Sequence, residues 1–141
     1  MTTLITESAI HQKTPQEITG LLYEGCMDFM EKAIEAVETK DYLEANYYLQ
    51  KANAILHRLG GGINYEAGII ADQLDMLYNY MAGKLILANL NKDSQPIKEA
   101  LNVLEEISTT WNQALKTKAV QPNVQQRRVS AYDKHIMTED Y

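Results

Sequence analysis

Glycine and proline are scarce in this chain of 141 residues, and their scarcity most limits the folds that the chain can adopt. Only 7 glycines and 3 prolines interrupt the sequence, so long stretches carry neither residue, as long helices require. Within those stretches, apolar residues recur at steps of three and four, which is the spacing of one face of an α-helix. The sequence therefore predicts an all-α fold built from long amphipathic helices.

Capping signals divide the first half of the chain into two helices. The Thr14 side chain can accept a hydrogen bond from a free N–H group at a helix start, and Pro15 suits the first helical position. This helix is expected to reach about Thr39. Asp41 opens a second helix in the same way, and the glycine triplet at 60–62 ends it. The turn between them is so short that the two helices are expected to run antiparallel.

Two further helices are predicted in the second half of the chain. The third spans about residues 65–91 and carries two apolar stripes, so it is apolar over a wide arc. The fourth begins after Ser94, a residue suited to cap it, and reaches about Lys118 with Trp111 as its largest apolar anchor. Four helices joined by short turns predict an antiparallel up-and-down four-helix bundle.

A single domain is expected to contain this bundle. We place the domain at residues 1–118, of which 14–118 form the four helices. Residues 1–13 have isolated apolar side chains without a sustained period, and we interpret them as a short N-terminal strap. Residues 119–141 are mostly polar and contain both basic and acidic side chains, so they are predicted to form a flexible C-terminal tail.

Charge and composition argue against several classes of partner and location. The chain has 13 Lys and Arg against 19 Asp and Glu, and a formal charge of -6 disfavours binding to nucleic acids or to anionic membranes. No run approaches the roughly 18 apolar residues that span a bilayer. The single cysteine, Cys26, cannot close an internal disulfide, and the sequence starts without a secretory signal. We therefore expect a cytosolic protein without membrane insertion.

No combination of residues indicates catalysis, a metal or another cofactor. His11, His57 and His135 lie in different segments, without a second ligand at metal spacing. The Glu-x-x-His pairs of di-iron bundles do not occur in the sequence. Cys26 lies within the apolar stripe of the first helix, where a buried thiol is the ordinary expectation. The sequence predicts a protein that is not an enzyme.

Tyrosine is unusually frequent for a chain with so few other aromatic residues. There are 9 tyrosines against one Phe and one Trp, and tyrosine is favoured both in amphipathic cores and at protein-binding surfaces. Tyr78 and Tyr80 lie two residues apart on the third helix, and such residues point about 200° away from each other. One of the two is therefore expected to face a different neighbour or a groove.

The residues of the first, third and fourth helices together resemble the flagellar export chaperone family FliS. The resemblance lies in Thr14-Pro15-Gln16-Glu17-Ile18, Leu21-Leu22-Tyr23-Glu24-Gly25-Cys26, Leu77-Tyr78-Asn79-Tyr80-Met81, Leu85, Ala88-Asn89, Asp93 and Thr110-Trp111. It covers about residues 14–118 and keeps the order and the spacing of these pieces.

The resemblance implies a cytoplasmic chaperone of bacterial flagellum biogenesis and protein export. Such a protein binds the disordered C-terminal segment of flagellin, prevents its premature polymerisation and assists its delivery to the flagellar type III export apparatus. The flagellin segment would become partly helical as it wraps around the bundle, in a helix-in-groove mode. The N-terminal strap, here with Leu4, Ile5 and Ile10, would cover part of the groove in the free state.

We expect the flagellin groove on the second and third helices, because the third helix has an apolar stripe beyond the one that faces the core. The candidate binding residues are Ile55, Leu59, Met76, Tyr80 and Leu87. The alternative hypothesis is a structural bundle that self-associates as a homodimer through the same apolar face.

Overall fold

Four helices make up almost all of the chain that the computed structural model describes, which is residues 13–63 and 68–120. They are α1 (Pro15–Glu38), α2 (Tyr42–Gly61), α3 (Ile69–Asn91) and α4 (Gln95–Val120). These ranges contain no strand, which confirms the predicted all-α class and its four helices. The strap residues Leu4, Ile5 and Ile10, the histidines His11 and His135, and the predicted tail beyond residue 120 lie outside the described residues.

The capping residues set the ends of the first two helices as predicted. The Thr14 hydroxyl accepts the Glu17 amide at 3.1 Å, and the Glu17 carboxylate accepts the Thr14 amide at 3.0 Å, which completes a capping box. Asp41 accepts the Glu44 amide at 3.2 Å at the start of α2. Between the two helices, Lys40 adopts a left-handed conformation with φ 63° and reverses the chain.

The third helix begins later than the sequence predicts. Its first residue is Ile69, four positions beyond the expected start, and residues 64–67 are not described. Gly68 precedes it with φ 76°, a conformation that glycine adopts at no steric cost and that a helix cannot contain. The early start was therefore wrong because the glycine interrupts the helical backbone after the apolar pattern has begun.

Helix packing and two ion pairs assemble the bundle. α2 packs against both α1 and α3. The first turns of α4 are tied to α1 by Lys98 and Glu38, whose Nζ and Oε2 atoms are 2.8 Å apart, and to α3 by Lys84 and Glu99 at 2.7 Å. The Ser94 hydroxyl also donates to Glu38 at 3.1 Å.

The described chain separates after Ser108 into two compact units. Every buried side chain of the described residues lies in the first unit, which contains α1, α2, α3 and the first half of α4. The second unit begins at Thr109 with the remainder of α4, which continues two residues past the predicted end at Lys118.

The core is formed by the apolar stripes of the four helices. Its largest fully buried side chains are Tyr23, Met30, Leu49, Leu56, Met81, Leu85, Ile97 and Leu104. Their removal from water supplies the main driving force for folding, since each fully buried side chain of this size contributes about 1.5–3 kcal/mol.

Two tyrosines meet inside this core. The hydroxyls of Tyr23 and Tyr78 are 2.7 Å apart, and their rings are tilted with centroids 6.5 Å apart. Burial raises the pKa of both hydroxyls above the ordinary value for tyrosine. Tyr78 is buried whereas Tyr80 is exposed, which confirms that the two face different surroundings.

The raised pKa values of this tyrosine pair predict a loss of stability in alkaline solution. Above about pH 10 the unfolded chain loses phenolic protons that the folded chain keeps, so each tyrosine lowers the free energy of unfolding by about 1.4 kcal/mol per pH unit. Below about pH 10 both tyrosines are protonated in the folded and the unfolded chain, so their full contribution to the free energy of unfolding is present. Urea denaturation between about pH 9 and pH 11 should show a shallower decline for Tyr78→Phe than for the native chain.

Tyr47→Phe is the matched control for this measurement, because Tyr47 is half exposed on α2. Its decline should equal that of the native chain. Equal slopes for Tyr78→Phe and Tyr47→Phe would contradict the proposed cause.

A leucine pair on α2 tests where the core lies. Leu49 is 2% exposed and Leu43 is 84% exposed. Leu49→Ala should lower the free energy of unfolding by about 2–5 kcal/mol, because it leaves a cavity. Leu43→Ala should change it by less than about 0.5 kcal/mol. Urea denaturation followed by circular dichroism measures both, and similar losses in the two variants would place the core elsewhere.

Candidate protein-binding surface

The third helix exposes large apolar side chains on the side opposite to the core. Tyr78, Met81 and Leu85 fix its core side, and positions 76, 80 and 87 therefore point away from it. We call the following exposed residues the outer face of α3: Met76, Tyr80, Ile86, Leu87 and Leu90. Contiguous exposed apolar side chains on a helix are typical of a surface that binds another polypeptide.

A groove between α2 and α3 runs beside the outer face. Its main part has a volume of about 690 Å³ and is lined by Leu49, Gln50, Asn53, Ala54, His57, Leu85, Ile86, Asn89, Leu90 and Lys92. Two smaller openings of about 360 and 170 Å³ continue along the same pair of helices towards Tyr42 and towards Asp75. Ile86 and Leu90 belong to both the groove and the outer face, so the two surfaces are continuous.

Carboxamide side chains give the groove its polar character. Asn89 in α3 donates to the Oδ1 atom of Asn46 in α2 at 2.7 Å, and Gln50 donates to the same oxygen at 3.2 Å. The Oδ1 atom of Asn53 is buried and has no hydrogen-bond partner within the described ranges. A buried acceptor without a donor lowers the stability of the folded protein.

The apolar periodicity of the sequence does not reveal these polar groove residues. Asn46, Gln50, Asn53 and His57 follow each other at steps of four, three and four along α2, so they form a polar stripe with helical spacing. This polar stripe is the signal in the sequence that marks the groove, and it is separate from the apolar periodicity that predicts the helices.

The five predicted binding residues do not lie together in the structure. Three of them share the outer face of α3, namely Met76, Tyr80 and Leu87. Ile55 is half-buried on the side of α2 that faces α1. If Gly25 of α1 carried a Cβ atom, that atom would lie 3.7 Å from the Cδ1 atom of Ile55. Leu59 is only 5% exposed and packs in the core. Neither Ile55 nor Leu59 lines the groove between α2 and α3.

Charges beside the outer face are neutralised by ion pairing. Lys84 lies 5.5 Å from the ring centroid of Tyr80 and forms its hydrogen bond with Glu99. That hydrogen bond raises the pKa of Lys84 and lowers the pKa of Glu99. The positive charge of Lys84 beside Tyr80 is therefore balanced by the carboxylate of Glu99.

The side chains with metal-binding or nucleophilic chemistry are dispersed. Within residues 13–63 and 68–117, no group of three His, Cys, Asp or Glu side chains could hold a metal ion. The Cys26 thiol is buried, donates to the Ala52 carbonyl at 3.5 Å, and has its pKa raised by burial to about 12. It therefore behaves as a core residue and not as a nucleophile.

The fold and this surface define a helical bundle suited to bind another polypeptide. The sequence matches the family described as Flagellar protein FliS over residues 2–118. The chain therefore belongs to the FliS family of flagellar secretion chaperones, which is not an enzyme family. This confirms the resemblance and the expected place in flagellum biogenesis and protein export.

Relatives in distant bacteria show the same relationship. Flagellar secretion chaperone FliS of Salmonella typhimurium is 34% identical over 109 residues, which are 76% of this chain and 81% of that protein. The FliS chaperone of Bacillus subtilis is 29% identical over 111 residues, or 79% and 83% of the two chains. That of Campylobacter jejuni is 29% identical over 109 residues, or 77% and 85%.

None of the helices in the part of the chain that the structure describes combines the length and the apolar character needed to cross a bilayer.

Burial of Cys26 predicts that its thiol is protected in the folded protein. At about pH 8, a disulfide reagent such as Ellman's should react with native Cys26 at least about 100-fold more slowly than with the same chain unfolded in urea. Absorbance of the released thiolate measures both rates. Equal rates in the two states would mean that α1 does not bury this residue as described.

Proposed function

We propose that this chain is a cytosolic export chaperone for flagellin. It binds the disordered C-terminal segment of flagellin, prevents premature polymerisation of flagellin and assists its delivery to the flagellar type III export apparatus. The single observation that most supports this proposal is the outer face of α3, an exposed apolar surface in a member of a flagellar secretion chaperone family.

The outer face of α3 suits a partner that folds as it binds. Met76, Tyr80 and Leu87 lie on one side of the helix and can contact the apolar stripe of an amphipathic helix laid against them. Ordering a disordered segment costs conformational entropy, and such complexes offset that cost by burying roughly 1,000–3,000 Å². The segment is therefore proposed to continue from the outer face into the groove through Ile86 and Leu90, which belong to both surfaces and so extend the buried area.

Polar recognition in the groove complements this apolar contact. The buried Asn53 acceptor lines the groove next to the hydrogen-bonded pair of Asn46 and Asn89. The exposed carboxamide of Gln50 also lines the groove, and it can hydrogen-bond to the main chain of a bound segment and fix the position of that segment along the groove. In the free protein, Leu4, Ile5 and Ile10 of the N-terminal strap are proposed to cover part of the groove.

The consequence for flagellin is protection of its apolar side chains. While these side chains lie against α3, they are not open to a second flagellin molecule, so assembly is delayed until release. We propose that the bound complex is what export apparatus components receive.

Two substitutions on the outer face test this proposal. In calorimetric titration with a peptide covering the last helix-forming segment of flagellin, the native chain should bind one to one with a large negative heat-capacity change. Tyr80→Asp and Leu87→Asp should each weaken binding more than about tenfold, because each places a charge in an apolar contact.

Tyr47→Asp is the matched control, because Tyr47 is also a half-exposed tyrosine but lies on α2, away from the outer face. It should leave the affinity unchanged. Unchanged affinity for Tyr80→Asp and Leu87→Asp, in variants that circular dichroism shows to be folded, would refute the binding surface. No binding at tens of micromolar, either by the native chain or by a chain without the strap residues 1–13, would refute the function.

A further inference from the structure

The groove between α2 and α3 has a positive charge at one end and a negative charge at the other. Lys92 lines its main part and the opening of about 360 Å³ towards Tyr42, and Asp75 lines the opening of about 170 Å³ at the opposite end. Among the described residues that line the groove, these two are the only acidic or basic side chains apart from His57. Lys92 lies 17 positions after Asp75, so about 25 Å of helix separates the two charges.

The ammonium group of Lys92 is available to an incoming anion. Its Nζ atom lies 5.5 Å from the ring centroid of Tyr42, and the ion pairs between described residues do not include Lys92. The neighbouring carboxylates of Asp41 and Asp93 accept backbone amides at the starts of α2 and α4. A cation that lies over an aromatic ring without a carboxylate partner can form a charge-assisted hydrogen bond with a bound molecule.

The opening beside Lys92 offers a second donor. Asn46 lines this opening, and its Oδ1 atom accepts from both Asn89 and Gln50. Its Nδ2 group donates no hydrogen bond to another described residue. The apolar part of the lining consists of Val37, Leu43, Ala45 and Ala88. A positive charge, an amide donor and apolar walls suit a carboxylate that is attached to an apolar side chain.

The flagellin segment of the proposed function ends in such a group. A C-terminal segment has one free α-carboxylate, at its last residue, and its other end continues into the rest of flagellin. Lys92 attracts this negative charge and Asp75 repels it, so the two ends of the groove are not equivalent for the segment. Where the last residues are helical, the partial negative charge at the C-terminal end of that helix favours the same orientation.

We propose that the C-terminal carboxylate of flagellin binds to Lys92 and Asn46 in the opening beside Tyr42. The residues that precede it cross Ile86 and Leu90 towards the outer face of α3. This orientation rests on the proposed function, and it adds to that function a fixed end from which the bound segment is positioned.

Calorimetric titration with two forms of one flagellin peptide tests this orientation. Both peptides end at the last residue of flagellin, one with a free carboxylate and the other with a C-terminal amide. The native full chain should bind the amide at least about fivefold more weakly, because the amide lacks the charge that Lys92 recognises. A strap that covers part of the groove lowers both affinities equally, so it does not change their ratio.

Two substitutions at the opening locate the carboxylate. Lys92→Met should bind the free-acid peptide about as weakly as the native chain binds the amide, and should no longer distinguish the two peptides. Asn46→Asp keeps an oxygen for Asn89 and replaces the Nδ2 donor with a negative charge, so it should weaken binding of the free acid more than binding of the amide.

Lys40→Met is the matched control. Lys40 has the same left-handed backbone conformation as Lys92, with φ 63° against 53°, and lies in the turn between α1 and α2. It does not line the groove. This variant should therefore distinguish the free acid from the amide as strongly as the native chain does.

The outcomes separate this orientation from the proposed function. Equal affinities of the native chain for the two peptides would refute the carboxylate site and leave the proposed function intact. A difference that persists in Lys92→Met would show that the carboxylate binds elsewhere and would overturn the orientation. Absence of binding by either peptide, with or without the strap residues 1–13, would refute the proposed function and this orientation with it.

Discussion

Burial of one side of α3 is the constraint on which the rest of this molecule depends. Tyr78, Met81 and Leu85 fill the core from that helix, and α2 packs along it. A helix has side chains all around its axis. When the side chains on one side pack in the core, those on the opposite side are left exposed to solvent. In α3 the exposed side is apolar, so the packing that stabilises the bundle also determines which surface is left for partners.

The sequence predicts the helices well because the signals that end helices are local. The capping box at Thr14 and the Asp41 cap act through hydrogen bonds within four residues, and the structure places both helix starts there. The start of α3 is predicted too early, because the apolar pattern continues through Gly68, whose positive φ is incompatible with an α-helix. The sequence does not predict the burial of Tyr23, since an apolar ring with a polar hydroxyl is found both in cores and at surfaces.

The binding surface is harder to predict, because periodicity identifies a face of a helix but not the neighbour that covers it. Ile55 and Leu59 have the right character and spacing, yet one lies beside α1 and the other in the core. The groove depends on polar residues brought together from two helices, such as Asn46 and Asn89, which are 43 positions apart. A contact at that separation in the sequence can only be seen once the helices are placed side by side.

The hydrogen bond between Asn46 and Asn89 has a kinetic consequence. It joins α2 to α3 at the groove, so the distance between the two walls is already set before a partner arrives. Binding then requires no change in the packing of these two helices. In the proposed function, the association rate therefore depends on how quickly the strap leaves the groove and on how quickly the incoming chain samples a conformation that fits. In the proposed function, the bundle would supply the template and the bound segment would carry out the conformational search.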